Sequence, residues 1–454
     1  MTPAPAVTST APVSAPNPTS EVRRTSEVGG KVDLLIHSAC QLLTLGGGPQ
    51  RGHELGRLGV IEDGAIALAG KRIVAVGPTA ALKRRFRPRQ EIDAGGRVVL
   101  PGFVDPHTHV VWMGDRAAEF ELRLQGASYM EIMAAGGGIA STVRHTRQAS
   151  VQELMTSTRP RLERMLAHGT TTAEAKTGYG LETGAEIRSL DAILRLDAEG
   201  PLELSPTFLG AHAVPPEYAG RTEAYVDLVC EQMLPAVHAH MSAAWPNKPL
   251  PFVDAFCEQG AFDLAQSRRI LETAAALGFP LKIHADEFVG QGGTGMAVDL
   301  GAISADHLVR TPAADIRALG RSSTVAVSLP CTPFGLAKPE YTPAGALLDA
   351  GAILALASDL NPGTAWCESM QFVIALACRA MKLTPAQAIA AATINAAAAL
   401  GRQESLGSLE AGKQADVIVL DAPDYRHLGY RFGTNLVSLV VKNGRVVHPV
   451  WPEG

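Results

Sequence analysis

Two histidines two positions apart close an apolar run: Pro101-Gly-Phe-Val-Asp-Pro-His107-Thr-His109. On a strand, positions i and i+2 point to the same side. Both imidazoles can therefore face one metal ion, and imidazole suits zinc and iron. Three later clusters have the same character. Leu281-Lys-Ile-His284-Ala-Asp-Glu287 ends a strand in a histidine, with a carboxylate near enough to shuttle a proton. Ile303-Ser-Ala-Asp306-His307 sets a histidine after a short strand. Leu354-Ala-Leu-Ala-Ser358-Asp359-Leu-Asn361-Pro-Gly363-Thr364 ends an almost wholly apolar strand in a carboxylate. A buried Asp costs free energy unless it is paired or bound to a metal.

Each cluster also has an ordinary reading: a polar pair, a solvated acidic turn, a structural histidine, a Ser-Asp helix cap. Their occurrence in order at successive strand ends favours a shared site. Three histidines and one Asp match a site with an open position for water, and such an ion lowers the pKa of bound water to about 7. The remaining carboxylate and histidine would then move protons and polarise a carbonyl.

Such a site needs an element that brings distant strand ends together. The middle of the chain alternates helical segments (Val151 to His168, Gly184 to Glu199, Leu264 to Leu277, Thr384 to Leu400) with short apolar strands (Thr170 to Glu174, Leu281 to His284, Ile353 to Ala357). β–α alternation implies a parallel sheet with crossover helices. About 300 residues of it favour a closed (β/α)₈ barrel, which keeps its active site at the C-terminal ends of the strands. Short strands also punctuate both chain ends: Val32 to His37, Gly64 to Leu68, Arg72 to Val76, Arg97 to Leu100, then Ala415 to Leu420 and Val437 to Val446 with an Asn443-Gly444 hairpin turn. The expected fold is thus α/β, a TIM-like barrel over 99–402 with a small composite β-sandwich domain from 31–98 and 403–454. Residues 1–30, rich in Pro, Ala, Ser and Thr, read as a disordered tail.

The 454 residues leave room for both units, and a net charge of -5 with no basic run argues against a nucleic-acid partner. No stretch reads as a membrane span or a secretory signal, so no membrane partner is expected. The six cysteines are scattered without a C-x-x-C pair, which suits free thiols in a cytoplasmic protein.

The four clusters and the split β domain resemble the amidohydrolase superfamily. Gly114-Asp-Arg116-Ala-Ala-Glu-Phe-Glu121, Gly126-Ala-Ser-Tyr129, Ala134-Ala-Gly-Gly-Gly-Ile139, Lys176-Thr-Gly-Tyr179-Gly and Phe208-Leu-Gly-Ala-His212 narrow the likeness to the imidazolonepropionase family, from about residue 33 to 448. The resemblance implies hydrolytic opening of 4-imidazolone-5-propanoate to N-formimidoyl-L-glutamate in histidine degradation. It implies one zinc or iron ion on His107, His109, His284 and Asp359, with Asp359 accepting a proton from the attacking water. Glu287 and His307 would assist at the substrate ring, and Arg116 would hold the propanoate carboxylate. Tyr129, Tyr179 and His212 would touch substrate; Asn361, Gly363 and Thr364 would receive the opened product. The small-molecule substrate is the expected partner, and the family suggests a homodimer.

Residue by residue, plainer roles stand beside these. Arg116 has Asp115 and Glu119 close by as ion-pair partners, and Tyr129 lies in a helix-like stretch. Lys176 follows a middle strand, where two-metal relatives carry a carbamylated lysine, but the family pattern calls for one ion. Three other readings compete. A ring deaminase would share the metal set without the carboxylate clamp. A nucleotide-dependent oxidoreductase would use Gly290-Gln-Gly292-Gly-Thr-Gly295, although those glycines start well past the strand end. A catalytically dead scaffold would have lost metal ligands, and all four are present.

Overall fold

The computed structural model describes residues 29–126 and 137–448; most of the expected tail, and Tyr129, lie outside them. The chain begins with five strands, β1 (Gly30–Leu43), β2 (Val60–Ala69), β3 (Arg72–Pro78), β4 (Phe86–Asp93) and β5 (Val98–Pro101). β4 escapes the sequence reading because Arg, Pro and Gln interrupt its apolar pattern; it adds in parallel to β1, Gly30 opposite Phe86.

Eight parallel strands follow: β6 (Phe103–Asp105), β7 (Thr170–Lys176), β8 (Glu203–Ala211), β9 (Phe252–Cys257), β10 (Lys282–Ala285), β11 (Ser304–His307), β12 (Val325–Ser328) and β13 (Ile353–Leu356). They pair in sequence order from β6 to β13. The ring closes beyond the named strands, where Thr108 bridges Leu360 in parallel. There His109 N donates to Leu360 O (2.9 Å) and Asp359 N donates to His107 O (3.1 Å). This is the barrel that the alternation implies.

The chain then returns to the first sheet as β14 (Val417–Leu420), β15 (Val437–Lys442) and β16 (Arg445–His448), with β14 antiparallel to β5. Asn443 and Gly444 both take positive φ, as a two-residue hairpin requires. The β structure of both chain ends is thus one hydrogen-bonded network in the order β16-β15-β14-β5-β1-β2-β3. Leu34, Ile36 and Ile66 share a buried cluster with Val417, Val419 and Leu439. Neither end of the chain buries that face without the other.

Helices pack outside the barrel with apolar faces inward. The helix Val151–Ala167 opens on a capping box: Glu153 N donates to Ser150 Oγ, and Ser150 N donates to Glu153 Oε2. Its buried Arg161 reaches the Val110 and Trp112 carbonyls at 2.8 and 3.3 Å and lies 3.5 Å over the Trp112 ring. That fixes the segment following His109. The single helix expected from Thr384 to Leu400 is two, Pro385–Ala391 and Ile394–Ala398. Thr393 leaves helical geometry (φ -130°, ψ -92°) between them. Asn395, buried, instead spends its side chain on Gln50 and the Leu354 carbonyl.

Candidate active site

The barrel's C-terminal end brings His107, His109, His284, His307 and Asp359 to one point. All five are at most 3% exposed. His107 and His109 follow β6, His284 lies in β10, His307 ends β11 and Asp359 follows β13. His107 and Asp359 are neighbours because the ring closes between them. His307 and Asp359 take φ of 79° and 54°, in the left-handed region that costs a non-glycine residue free energy.

The spacing of the donor atoms tests whether a metal fits. His109 Nε2 lies 3.3 Å from His284 Nε2, and Asp359 Oδ1 lies 3.6 Å from both His107 Nε2 and His109 Nε2. Ligands about 2.0–2.2 Å from a tetrahedral ion stand roughly 3.3–3.6 Å apart. His107 Nε2 is buried with no hydrogen-bond partner. Burial pushes the His107, His109 and His307 imidazoles well below their ordinary pKa, towards the neutral form that binds metals. The residues therefore fit a single metal ion.

Beneath these rings lies a second layer. His107 Nδ1 is 2.6 Å from Asp306 Oδ2. Asp254 Oδ2 is 2.9 Å from His284 Nδ1, without the alignment of a straight hydrogen bond. Lys176 Nζ donates to Glu174 Oε1 (2.9 Å) and Asp254 Oδ2 (2.7 Å) and stands 3.7 Å from Asp306. Lys282 Nζ donates to Pro106 O (2.8 Å) and stands 3.1 Å from Glu174. Burial alone would lower the Lys176 pKa, but Asp254, Glu174 and Asp306 outweigh it and raise it. Lys176 is thus a charged partner of carboxylates, not the free amine a carbamate requires.

Sequence reasoning gave Glu174, Asp254 and Lys282 no role and quoted Asp306 only as a neighbour of His307. A signal was present. The same i, i+2 rule that pairs His107 with His109 places Glu174 beside Lys176 and Lys282 beside His284. Asp254 is a lone carboxylate in the apolar run of β9.

A cavity of about 780 Å³ opens above the candidate metal ligands. Its walls include Arg116, Tyr179, His212, Glu287, Asn361 and Thr364. His212 stacks on His109 at 4.8 Å and contacts the Gly178 carbonyl through Nδ1 (3.0 Å); burial lowers its pKa to about 3. Burial, with Asp359 and Glu258 adding to it, pushes the Glu287 carboxyl well above its ordinary range. Its Oε2 lies 3.7 Å from His307 Nε2. Burial also raises Asp359 to about 6, against a hydrogen bond from Thr332 Oγ1.

Arg116 is in the cavity wall and already engaged. Its Nε and Nη2 donate to Glu119 at 2.7 and 2.5 Å. Its Nη1 faces Gly363, where a Cβ would come within 2.4 Å. Glu119 also accepts from Arg123 (3.0 Å) and Gly138 N (2.8 Å). Of the two ion-pair partners that the sequence offers Arg116, Glu119, three positions on and within reach along one helix face, is the one engaged; Arg123 was not singled out. Asn361 Oδ1 accepts from Gly363 N and Thr364 N, both at 2.8 Å, which shapes that wall.

The Gly290-to-Gly295 segment does not bind phosphate in the manner of a dinucleotide fold. Asp286 fills the space before the helix Gly293–Asp299, accepting from Gln291 N (3.0 Å) and Thr294 Oγ1 (2.5 Å). A nucleotide phosphate would meet that buried carboxylate.

Fold and ligand set together define a metal-dependent amidohydrolase. The pattern of the Amidohydrolase family matches residues 98–447, and that of the imidazolonepropionase-like composite domain of bacteria matches residues 64–87. The chain is 55% identical over 417 residues to an imidazolonepropionase of Herpetosiphon aurantiacus, covering 91% of this chain and 97% of that protein. It is 54% identical over 420 residues to one of Chloroflexus aggregans, covering 91% and 98%. The chain belongs to the imidazolonepropionase family. Among solved structures it is similar to a zinc-bound adenosine deaminase of Xanthomonas campestris (TM-score 0.65, 21% identity, 92% of this chain and 93% of that one). It is also similar to a 5-methylcytosine deaminase of Klebsiella pneumoniae (TM-score 0.67, 16% identity, 91% and 97%). At those identities the likeness speaks for the fold alone.

Proposed function

We propose that this enzyme opens the ring of 4-imidazolone-5-propanoate by hydrolysis, giving N-formimidoyl-L-glutamate in histidine degradation. The observation that carries the reading is the convergence of His107, His109, His284 and Asp359 at the mouth of a closed barrel, in a chain 55% identical to an imidazolonepropionase. These four would hold one zinc or iron ion. The ion would supply the Lewis acidity that makes water a competent nucleophile at neutral pH.

The chain's own groups divide the remaining work. Asp359, at the end of the last barrel strand beside the attacking water, takes the proton of that water. Water adds at the ring carbonyl, the amide C–N bond breaks and the ring nitrogen takes up a proton. Glu287, its carboxyl pushed up by burial, and His307 stand beside the reacting ring for that transfer. The Nη1 edge of Arg116, left over by Glu119, meets the propanoate carboxylate. Tyr179 and His212 line the wall against the ring, while Asn361, Gly363 and Thr364 face the product; Tyr129 belongs to the same proposal. The six free thiols suit a reducing cytoplasm, and a homodimer follows the family. No helix among the described residues is long and apolar enough to cross a membrane.

The test is a metal analysis with an assay of fresh imidazolonepropionate, followed by loss of its ultraviolet absorbance. About one metal per chain is expected, with ring opening lost in His109→Ala and weakened through a raised KM in Arg116→Met. Bound metal without turnover would redirect the search to other cyclic amides or ring amines.

A further inference from the structure

The ring-opening scheme leaves five buried charges unused: Glu174 and Lys176 on β7, Asp254 on β9, Lys282 on β10 and Asp306 on β11, each at most 1% exposed. Burying so many charges is unfavourable unless each is paired and hydrogen-bonded. Their arrangement answers a question the metal ligands pose. A neutral imidazole has one N–H and one lone pair, and the partner of one nitrogen decides which is which. If the wrong nitrogen carried the proton, His107 or His284 would point an N–H at the metal.

We propose that Lys176 is a positioning residue for the metal centre, holding Asp254 and Asp306 as acceptors towards Nδ1 of His284 and His107 so that both rings turn an Nε2 lone pair to one point. An ammonium only donates. Asp254 Oδ2, which accepts from Lys176 Nζ at 2.7 Å, is the same oxygen that lies 2.9 Å from His284 Nδ1. Oδ1 of Asp254 accepts from the His284 backbone N–H at 3.0 Å. No oxygen of Asp254 is left to donate to the ring, so the proton sits on His284 Nδ1. Asp306 faces the other ring, with two ammoniums nearby rather than hydrogen-bonded to it. Its Oδ1 accepts from Ser304 Oγ (2.6 Å), while Oδ2 faces His107 Nδ1 at 2.6 Å with Lys176 at 3.7 Å and Lys282 at 4.0 Å. One lysine thus stands behind two metal ligands from strands on opposite sides of the site.

The same geometry bears on metal count. His107, Glu174 and Asp306 offer donor atoms close enough together for a second cation. The ammoniums of Lys176 and Lys282, 2.9 and 3.1 Å from Glu174 Oε1, already serve that group. Two internal cations thus stand where a second metal ion would have to bind.

The inference rests on the histidine cluster being the metal site, so wild-type stoichiometry is measured first. No bound zinc in the wild type would sink that reading rather than this one. Zinc titration of metal-stripped protein then compares wild type with Lys176→Met, with circular dichroism and Tm to verify folding. Loss of an outer-layer partner weakens metal binding by about 10–100-fold, and that is the expected shift in Kd. Where the single variant does not fold, Lys176→Met with Glu174→Gln removes one charge of each sign and carries the same expectation. A folded variant with wild-type zinc affinity would overturn the proposal. Independently, ¹⁵N spectra of histidine-labelled, metal-free wild type should show His107 and His284 protonated at Nδ1. Protonation of both at Nε2 would overturn it, and a mixed population appearing only in the variant would support it in a way a merely structural role does not predict.

Discussion

Buried lysines stand among carboxylates at both ends of the barrel, and Lys176 above and Lys442 below serve different purposes. Lys176 lies under the candidate metal ligands, where its carboxylates approach His107 and His284. Lys442, on β15, enters from the β domain and reaches Glu203 of β8 (2.9 Å), Asp416 (2.7 Å) and Thr172 of β7 (3.3 Å). Arg402 joins it on Glu203. Similar chemistry thus organises a reaction centre above and a seam between two units below. A buried ion pair is not in itself a sign of function; what it leans on decides. In a (β/α)₈ barrel the C-terminal face carries the chemistry and the opposite face carries stability.

The largest effect should come from the upper end. His109→Ala is expected to remove the bound metal and lower kcat/KM by about 10³-fold or more, as when a group stabilising the reacting centre is lost. Elemental analysis beside the absorbance assay measures both. If metal and activity separated, the upper network would lose its meaning.

Lys442→Met should do the reverse. It leaves Glu203 and Asp416 without their buried cation, and urea unfolding should show about 3 kcal/mol less stability. Metal content and KM should stay at wild-type values. A drop in metal affinity would erase the distinction between the two ends.

Arg116→Met should raise KM by roughly 10–100-fold with a smaller change in kcat, the worth of a charged hydrogen bond to the substrate carboxylate. Gly363→Ala, whose Cβ would crowd Arg116 Nη1, should move KM the same way by less. Steady-state kinetics of both variants on imidazolonepropionate decide whether that edge of the guanidinium is the clamp.

The smallest expected signal is a pH dependence at the lower end. Burial would raise the Glu203 pKa, but Lys442 and Arg402 outweigh it and bring it to about 2. An unfolded Glu titrates near about 4.3. The stability from Glu203 is therefore complete above that value and is lost as pH falls through 2. Between those limits the wild-type Tm should fall more steeply than that of Lys442→Met. Parallel curves would remove Glu203 from the account.

Much of this is legible in the sequence, and for physical reasons. His107 and His109 stand out because polar pairs seldom end an apolar strand, and Asp359 because a carboxylate after Leu-Ala-Leu-Ala needs a partner. The hairpin at Asn443-Gly444 is written in residues that tolerate positive φ. Other features depend on what meets across the barrel. Asp254 and Asp306 are solitary in their strands, and nothing local says that both face Lys176. The break at Thr393 is hidden because an Ala-rich run favours helix on both sides of it; Asn395 finds its partners in Gln50 and Leu354, far away in sequence. The Arg116–Glu119 pair was one of two local options, Asp115 being the other, and only the cavity wall chooses between them.

The closure of the barrel has a consequence for biosynthesis. Ser358 N donates to Asp105, 253 positions away, and Asp359 N to the His107 carbonyl. While a ribosome still holds the last barrel strand, the growing chain has its His-x-His pair but neither the carboxylate beside it nor the wall of the ring that positions it. The ion can find its full set of ligands only when the first and last strands meet. An ion held across that junction would stabilise the closed form over any open one.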